Sequence, residues 1–130
     1  MVTEIKKQIY DAILATGFVE KDNILMVIRP EDLEAMADGE SFPVVGYDVK
    51  FIGMAKGNGM PQYEATLFVL NMTANDDESI LCGIELNSSI AISVHNNCCG
   101  VVSSSFESVK ERDEDKGYAA IIDVNKYIFQ

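Results

Sequence analysis

SILCGIELNSSIAISV, residues 79–94, is the stretch on which the fold turns. Ile80, Cys82, Ile84 and Leu86 recur at every second position and would share one side of a strand. Asn87-Ser88 has turn chemistry, and Ile90, Ile92 and Val94 then recur at every second position. Period-two alternation either side of an Asn-containing break predicts two half-buried strands joined by a turn.

Working outward, the segments on either side supply partners for those strands. Val44 to Met54 alternates, with Tyr47, Val49 and Phe51 on one side. AKGNGMPQ follows as a long tip, and Tyr63 to Asn71 returns as the second arm of a hairpin. ILMVI at 24–28 is a short buried strand. Before it, Ile5, Ile9 and Ile13 stand four apart, which predicts an amphipathic helix over Thr3–Thr16, capped by Thr3 and stopped by Gly17. Pro30 suits the first turn of a short helix that ends near Asp38-Gly39. On the C-terminal side, SSSFESVKERDEDKG carries Ser104 and Glu107 three apart, the spacing of a capping box, and predicts a helix ending at Gly117. Tyr118 to Phe129 is rich in β-branched and aromatic residues and reads as a strand. The result is α+β: a mostly antiparallel sheet of about six strands, short enough in its turns to curl toward a barrel, with an N-terminal helix and a late helix.

At 130 residues and 48% hydrophobic, residues 1–130 are expected to form one domain with one core. The formal charge is −11 and the pI about 4.3, which disfavours direct nucleic-acid binding and anionic membranes. No apolar run reaches membrane length, and MVTEIKKQIYDAIL mixes charge into its apolar residues unlike a secretory signal, so a cytoplasmic location is expected. Three cysteines, two adjacent, do not make a disulfide framework. The carboxylates cluster at 31–40, 76–78 and 107–115, as solvated faces or as a surface imitating nucleic acid.

HNNCCG, residues 95–100, holds the single histidine and two of the cysteines. Its spacing suits neither zinc nor any cofactor, so none is expected. A thiol enzyme would use Cys98 or Cys99 with His95 as base. Catalytic partners usually meet through the fold rather than by adjacency, and the cysteines read better as small hydrophobes. Lys56-Gly57-Asn58-Gly59 lacks the order of a phosphate loop and reads as a hairpin tip. The basic residues say more. Only Arg29 and Arg112 are arginines, and guanidinium is the group suited to bidentate anion binding. Arg29 precedes a helix start. Arg112 shares the late helix with Ser104 and Phe106. If the two converge, they would hold a small phosphorylated, nucleotide-like ligand without chemistry. An acidic module that occupies a basic protein surface is the alternative, and a thiol enzyme the third.

Arg29 in MVIRPEDLEAM, Arg112 in SVKERDEDKG and Asn96 or Asn97 in HNNCCG resemble, in outline, the phage anti-Thoeris sponge proteins. The resemblance implies a homo-oligomer in the host cytoplasm that sequesters a cyclic ADP-ribose-type signal. Its pockets, between subunits, would be lined by arginines, an Asn and an aromatic, here Phe106. A shorter run, IYDAILATGFVEKDNILMVIRPEDLEAM with GYDVKFIG, is similar to a helix–strand–helix–strand segment of phage capsid proteins.

Overall fold

The computed structural model describes residues 1–27, 31, 32, 36, 41–113 and 117–130, with backbone alone at 111–113. Helix α1 spans Val2–Ala15, and strands β1 Ile24–Met26, β2 Val44–Met54 and β3 Pro61–Ala74 follow. Then come helix α2 Asp77–Asn97 and strands β4 Val101–Asp113 and β5 Tyr118–Phe129. Among the described residues there is one five-stranded sheet in the order β1-β2-β3-β5-β4. β1 runs parallel to β2, and every other pairing is antiparallel. The class is α+β with an N-terminal and a later helix. The sheet stays open, with β1 and β4 as its edges, rather than closing into a barrel.

α1 forms where its isoleucine spacing predicts it. Ile5, Ile9, Ala12 and Ile13 are all buried, and Gly17 ends the helix region with φ 73. Burying an isoleucine contributes about 2 kcal/mol, so this stripe is what fastens the helix to the sheet. The cap differs from expectation: no side chain caps the start of α1, and Thr3 lies inside the helix. The hairpin of β2 and β3 stands as read, in register from Val44↔Leu70 to Met54↔Pro61 with a bulge between Phe51 and Gly53. β5 occupies the predicted residues, Tyr118–Phe129. Of the short helix after Pro30, residues 31, 32 and 36 are helical, and the rest lies outside the described residues.

Two readings are corrected. Residues 79–94 are not two strands but the middle of α2. Alternation at 80, 82, 84 and 86 coexists with a helical set, Ile80, Gly83, Asn87, Ile90, Ala91 and Val94, and this second set is the one that is buried. Asp76 decides the start. Its carboxylate accepts from the Ser79 N–H and from the Ser79 hydroxyl, both at 2.8 Å, as an N-cap does. Gly83 lets the helix settle onto the sheet, because a Cβ there would stand 2.5 Å from Ile121 Cδ1 and 2.8 Å from Thr73 Cγ2. The second correction is the helix expected from Ser104 to Gly117, whose residues up to Asp113 belong to strand β4. Its capping box has only Phe106 and Val109 for a core face, whereas β5 offers a full-length partner from Val101↔Phe129 to Asp113↔Tyr118.

The main core lies between the sheet and both helices: Ile5, Ile9 and Ile13 of α1, Ile90 and Val94 of α2, and Val45, Leu67, Val69 and Tyr127 of the sheet. A smaller cluster on the opposite face joins Met36, Val44, Leu70 and Ala120.

Candidate interaction surface

α2 crosses the sheet above β3 and β5, placing Gly83 over Ile121 and Tyr127 beneath Ala91, whose carbonyl accepts the Tyr127 hydroxyl at 2.7 Å. It stops short of covering β4. From Val102 to Lys110 every side chain of β4 except Ser104 is exposed, including Val102 at 56%, Phe106 at 49% and Val109 at 53%. The Phe106 and Tyr127 rings meet at 61° with centroids 5.8 Å apart. Val109 points to the face away from the helices, opposite Ile122.

An outer strand also presents a row of main-chain donors and acceptors to any strand laid beside it, and proteins usually blunt such edges with proline, lysine or inward charge. Residues 101–109, VVSSSFESV, contain no proline and no lysine, and carry one charge, Glu107. In a chain that is 24% charged, this local depletion is the composition of a contact surface rather than of a solvated one. The interruption present is a bulge between Val101 and Ser103, at the strand's start.

The residues read as ligand contacts are partly brought together. His95, Asn96 and Asn97 end α2, and the start of β4 returns beside them. His95 Nδ1 lies 2.6 Å from Ser104 Oγ, and Asn97 donates to the Ser93 carbonyl and hydroxyl at 2.8 and 3.1 Å. Asn96 is exposed. Arg29 lies outside the described residues. Arg112 is described only as a strand position opposite Ala119. The expected helix start near Ser104 is absent. That serine sits instead at the C-terminal end of α2, where exposed carbonyls repel an anion. Three clefts among the described residues likewise have no Lys or Arg in their walls. One, of about 540 Å³, lies between α2 and β3 beside Asn71, Thr73 and Cys82; the others lie beside Asn23 and Phe42, and beside Ile5 and Met60.

Of the cysteines, Cys98 behaves as a packing group. Cys98 is buried, and burial, with Cys99 adjacent, pushes its thiol from the usual 9.0 up to about 11, the reverse of an activated nucleophile. Cys99 is exposed, and its N–H donates to Gln8 Oε1 at 2.8 Å. Among the described residues no three His, Cys, Asp or Glu side chains converge as metal ligands.

Burial also raises Tyr127 well above the ordinary phenol range, and raises Tyr47, with Tyr10 and Asp11 adding to the effect. All three groups are neutral when protonated and are held protonated by the fold. The unfolded chain therefore ionises first as pH rises. Stability owed to them is intact below about pH 9, starts to fall as the unfolded thiol titrates, and goes on falling into the phenol range. Urea midpoints measured from pH 7 upward should be level with respect to these groups to about pH 9 and then decline. Tyr127→Phe should soften the upper part of that decline.

Beneath α2 lie buried groups with no partner: Asn87 Oδ1, Asp123 Oδ1 and Asn125 Nδ2. Asn125 is 1% exposed and sits in the sheet between Leu67 and Phe106. An orphaned buried donor costs on the order of 1–3 kcal/mol. Asn125→Val removes it and adds a β-branched side chain, so it should raise stability by about 1 kcal/mol, read as a higher denaturant midpoint at unchanged slope. Sequence reasoning missed this trio because Asn87 was read as turn chemistry and no face was assigned to Asp123 or Asn125 within the last strand. It missed β4 as an edge because the serine-rich start mimicked a helix cap.

No family model matches the chain, and no curated protein matches it in sequence. One solved structure with a similar backbone is titled "Virion of native gene transfer agent (GTA) particle". It is 12% identical, aligns over 96% of this chain and 90% of that chain, and has a TM-score of 0.38. A likeness at that level carries no functional weight.

Proposed function

We propose that the chain is a non-enzymatic assembly module whose copies join edge to edge through β4. The observation behind this reading is the outer strand itself: long, with no strand on its outer side among the described residues, and with one charge, Glu107, over residues 101–109. A strand added to such an edge gains main-chain hydrogen bonds along its length and pockets for alternate side chains. The occupant is a second copy rather than a basic partner. A basic surface would select a carboxylate-rich edge, and residues 101–109 offer Glu107 alone. The charge of −11 does not prevent self-association, because carboxylates elsewhere are screened beyond about 8 Å at physiological salt, and the edge contributes little charge of its own.

Capture of a nucleotide-like ligand through Arg29 and Arg112, as in a sponge protein, is the competing proposal. It has lost the helix start expected beside Ser104, and the walls of the clefts described above hold no Lys or Arg. Sedimentation velocity across a concentration series, with and without a nucleotide panel, separates the two. Edge joining predicts association that grows with protein concentration and with salt and ignores nucleotides. A species whose size or melting temperature responds to nucleotides instead would favour capture.

A further inference from the structure

Among the described residues, β4 is the edge of this sheet that is free along its whole length. At the other edge β1 offers only Ile24–Met26. The part of β2 that β1 leaves uncovered, Asp48–Met54, ends where β1 begins and is bent by a bulge between Phe51 and Gly53. A strand as long as β4 laid against β2 would run into β1. The edge that matches β4 in length is a second β4.

Resting on the edge-to-edge reading, we propose that two copies pair β4 with β4, antiparallel, about a two-fold axis through Phe106. Each Phe106 then faces its own counterpart, Ser104 faces the other copy's Ser108, and Ser105 faces the other copy's Glu107.

Main-chain alternation supplies the donors and acceptors. The Gln130 N–H donates to the Gly100 carbonyl at 2.9 Å, so even residues of β5 turn their main-chain groups toward β4. After the bulge, the partners of those residues on β4 are Ser105, Glu107 and Val109, which are spent on that ladder. Ser104, Phe106 and Ser108 therefore face outward, and the axis through Phe106 sets outward residue against outward residue. Axes through Ser105, Glu107 or Ser108 do the same, so side chains decide among them.

Phe106 meets Tyr127, which lies in the core beneath the helices, so Phe106 is on the helix side of the sheet. Ser105, Glu107 and Val109 alternate with it and lie on the other face. An axis at Glu107 opposes two carboxylates. An axis at Ser108 draws Glu111 and Asp113 of both copies along the face that holds Glu107. An axis at Ser105 parts the Phe106 rings and carries Ser108 and Val109 onto the bulge at Val101–Ser103. The axis at Phe106 avoids all three. It joins the two exposed rings, leaves the Glu107 carboxylates diagonal rather than opposed, and gives each one a Ser105 hydroxyl as donor. The paired stretch, Ser103 to Val109, lies past the bulge and short of the charged run that starts at Lys110. Such a contact is the same patch on both chains, so it closes as a dimer with one continuous sheet and the helices of both copies on one face.

Two experiments test this. The first introduces cysteines into a Cys82→Ser/Cys99→Ser chain. Ser105 and Glu107 then form a non-hydrogen-bonded pair, whose Cα atoms stand about 4.5 Å apart, close enough for a disulfide. Ser105→Cys chains mixed with Glu107→Cys chains should link between copies, and neither should link with itself. The second uses the axis, where a residue meets its own copy. Phe106→Lys and Phe106→Glu should each associate weakly alone, and their mixture should associate about tenfold more tightly than either. Self-linked Ser105→Cys or Glu107→Cys, no gain on mixing, or species larger than a dimer overturn the Phe106 axis. If Ser108→Pro still abolishes association in that case, the edge reading survives alone; if Ser108→Pro has no effect, both fail.

Discussion

Tyr127→Ala should lower stability by about 3–5 kcal/mol, the range for emptying a large aromatic site in a packed core. For a domain of this size the melting temperature should fall by roughly 10–20 °C. Tyr127 is the largest side chain with no exposure, and it does three jobs at once. Its ring fills the space beneath α2 beside Ile90 and Val94. Its hydroxyl ties the Ala91 carbonyl to the sheet, and its ring supports Phe106. Tyr127→Phe separates these roles. The helix still offers the Ala91 carbonyl an amide, so losing the hydroxyl should cost only about 1 kcal/mol. Differential scanning calorimetry of the two variants checks the ratio. Equal losses would mean that the hydroxyl, not the ring, holds α2 down. Tyr127→Phe should also associate like the parent chain, since Phe106 keeps its support.

Ser108→Pro should leave the folded monomer nearly as stable as the parent and abolish association. Proline is tolerated on an edge strand where its missing N–H faced solvent, and the Ser108 N–H faces outward from β4. The same feature removes one donor from any strand docking there and sets a ring in its path. Ser105→Pro is the contrasting case. Its N–H points at β5, opposite Lys126, so proline there breaks the sheet's own ladder and should lower the melting temperature first. Sedimentation velocity and thermal melts run together distinguish the pair. Ser108→Pro should lose assembly with little change in melting, and Ser105→Pro should lose both.

Much of the fold is legible in the residues. Isoleucines four apart set α1, and alternation with β-branched and aromatic residues sets β2, β3 and β5 to within a few positions. Residues 79–94 failed because they satisfy two periods at once. Ile80, Ile84, Ile90 and Val94 suit a strand pair and a helix equally, and the arbiters were Asp76 outside the stretch and Gly83 within it, whose value depends on Ile121 lying beneath. The Ser104/Glu107 cap failed for the complementary reason. Local signals favoured a helix, but the free edge of β5, fixed some twenty residues later, gained more from a strand. The candidate surface inherited both errors. Once α2 is a helix and β4 a strand, Phe106 and Val109 cease to be core anchors and become exposed edge residues. Arg29 and Arg112 point to chemistry by residue type alone, and type does not say whether two groups meet.

Sedimentation velocity of the unmodified chain from low to high micromolar concentration is the most direct measurement. Edge joining predicts a shift from monomer to associated species, more complete in high salt and absent in Ser108→Pro. A single monomeric boundary at every concentration and salt level would contradict it.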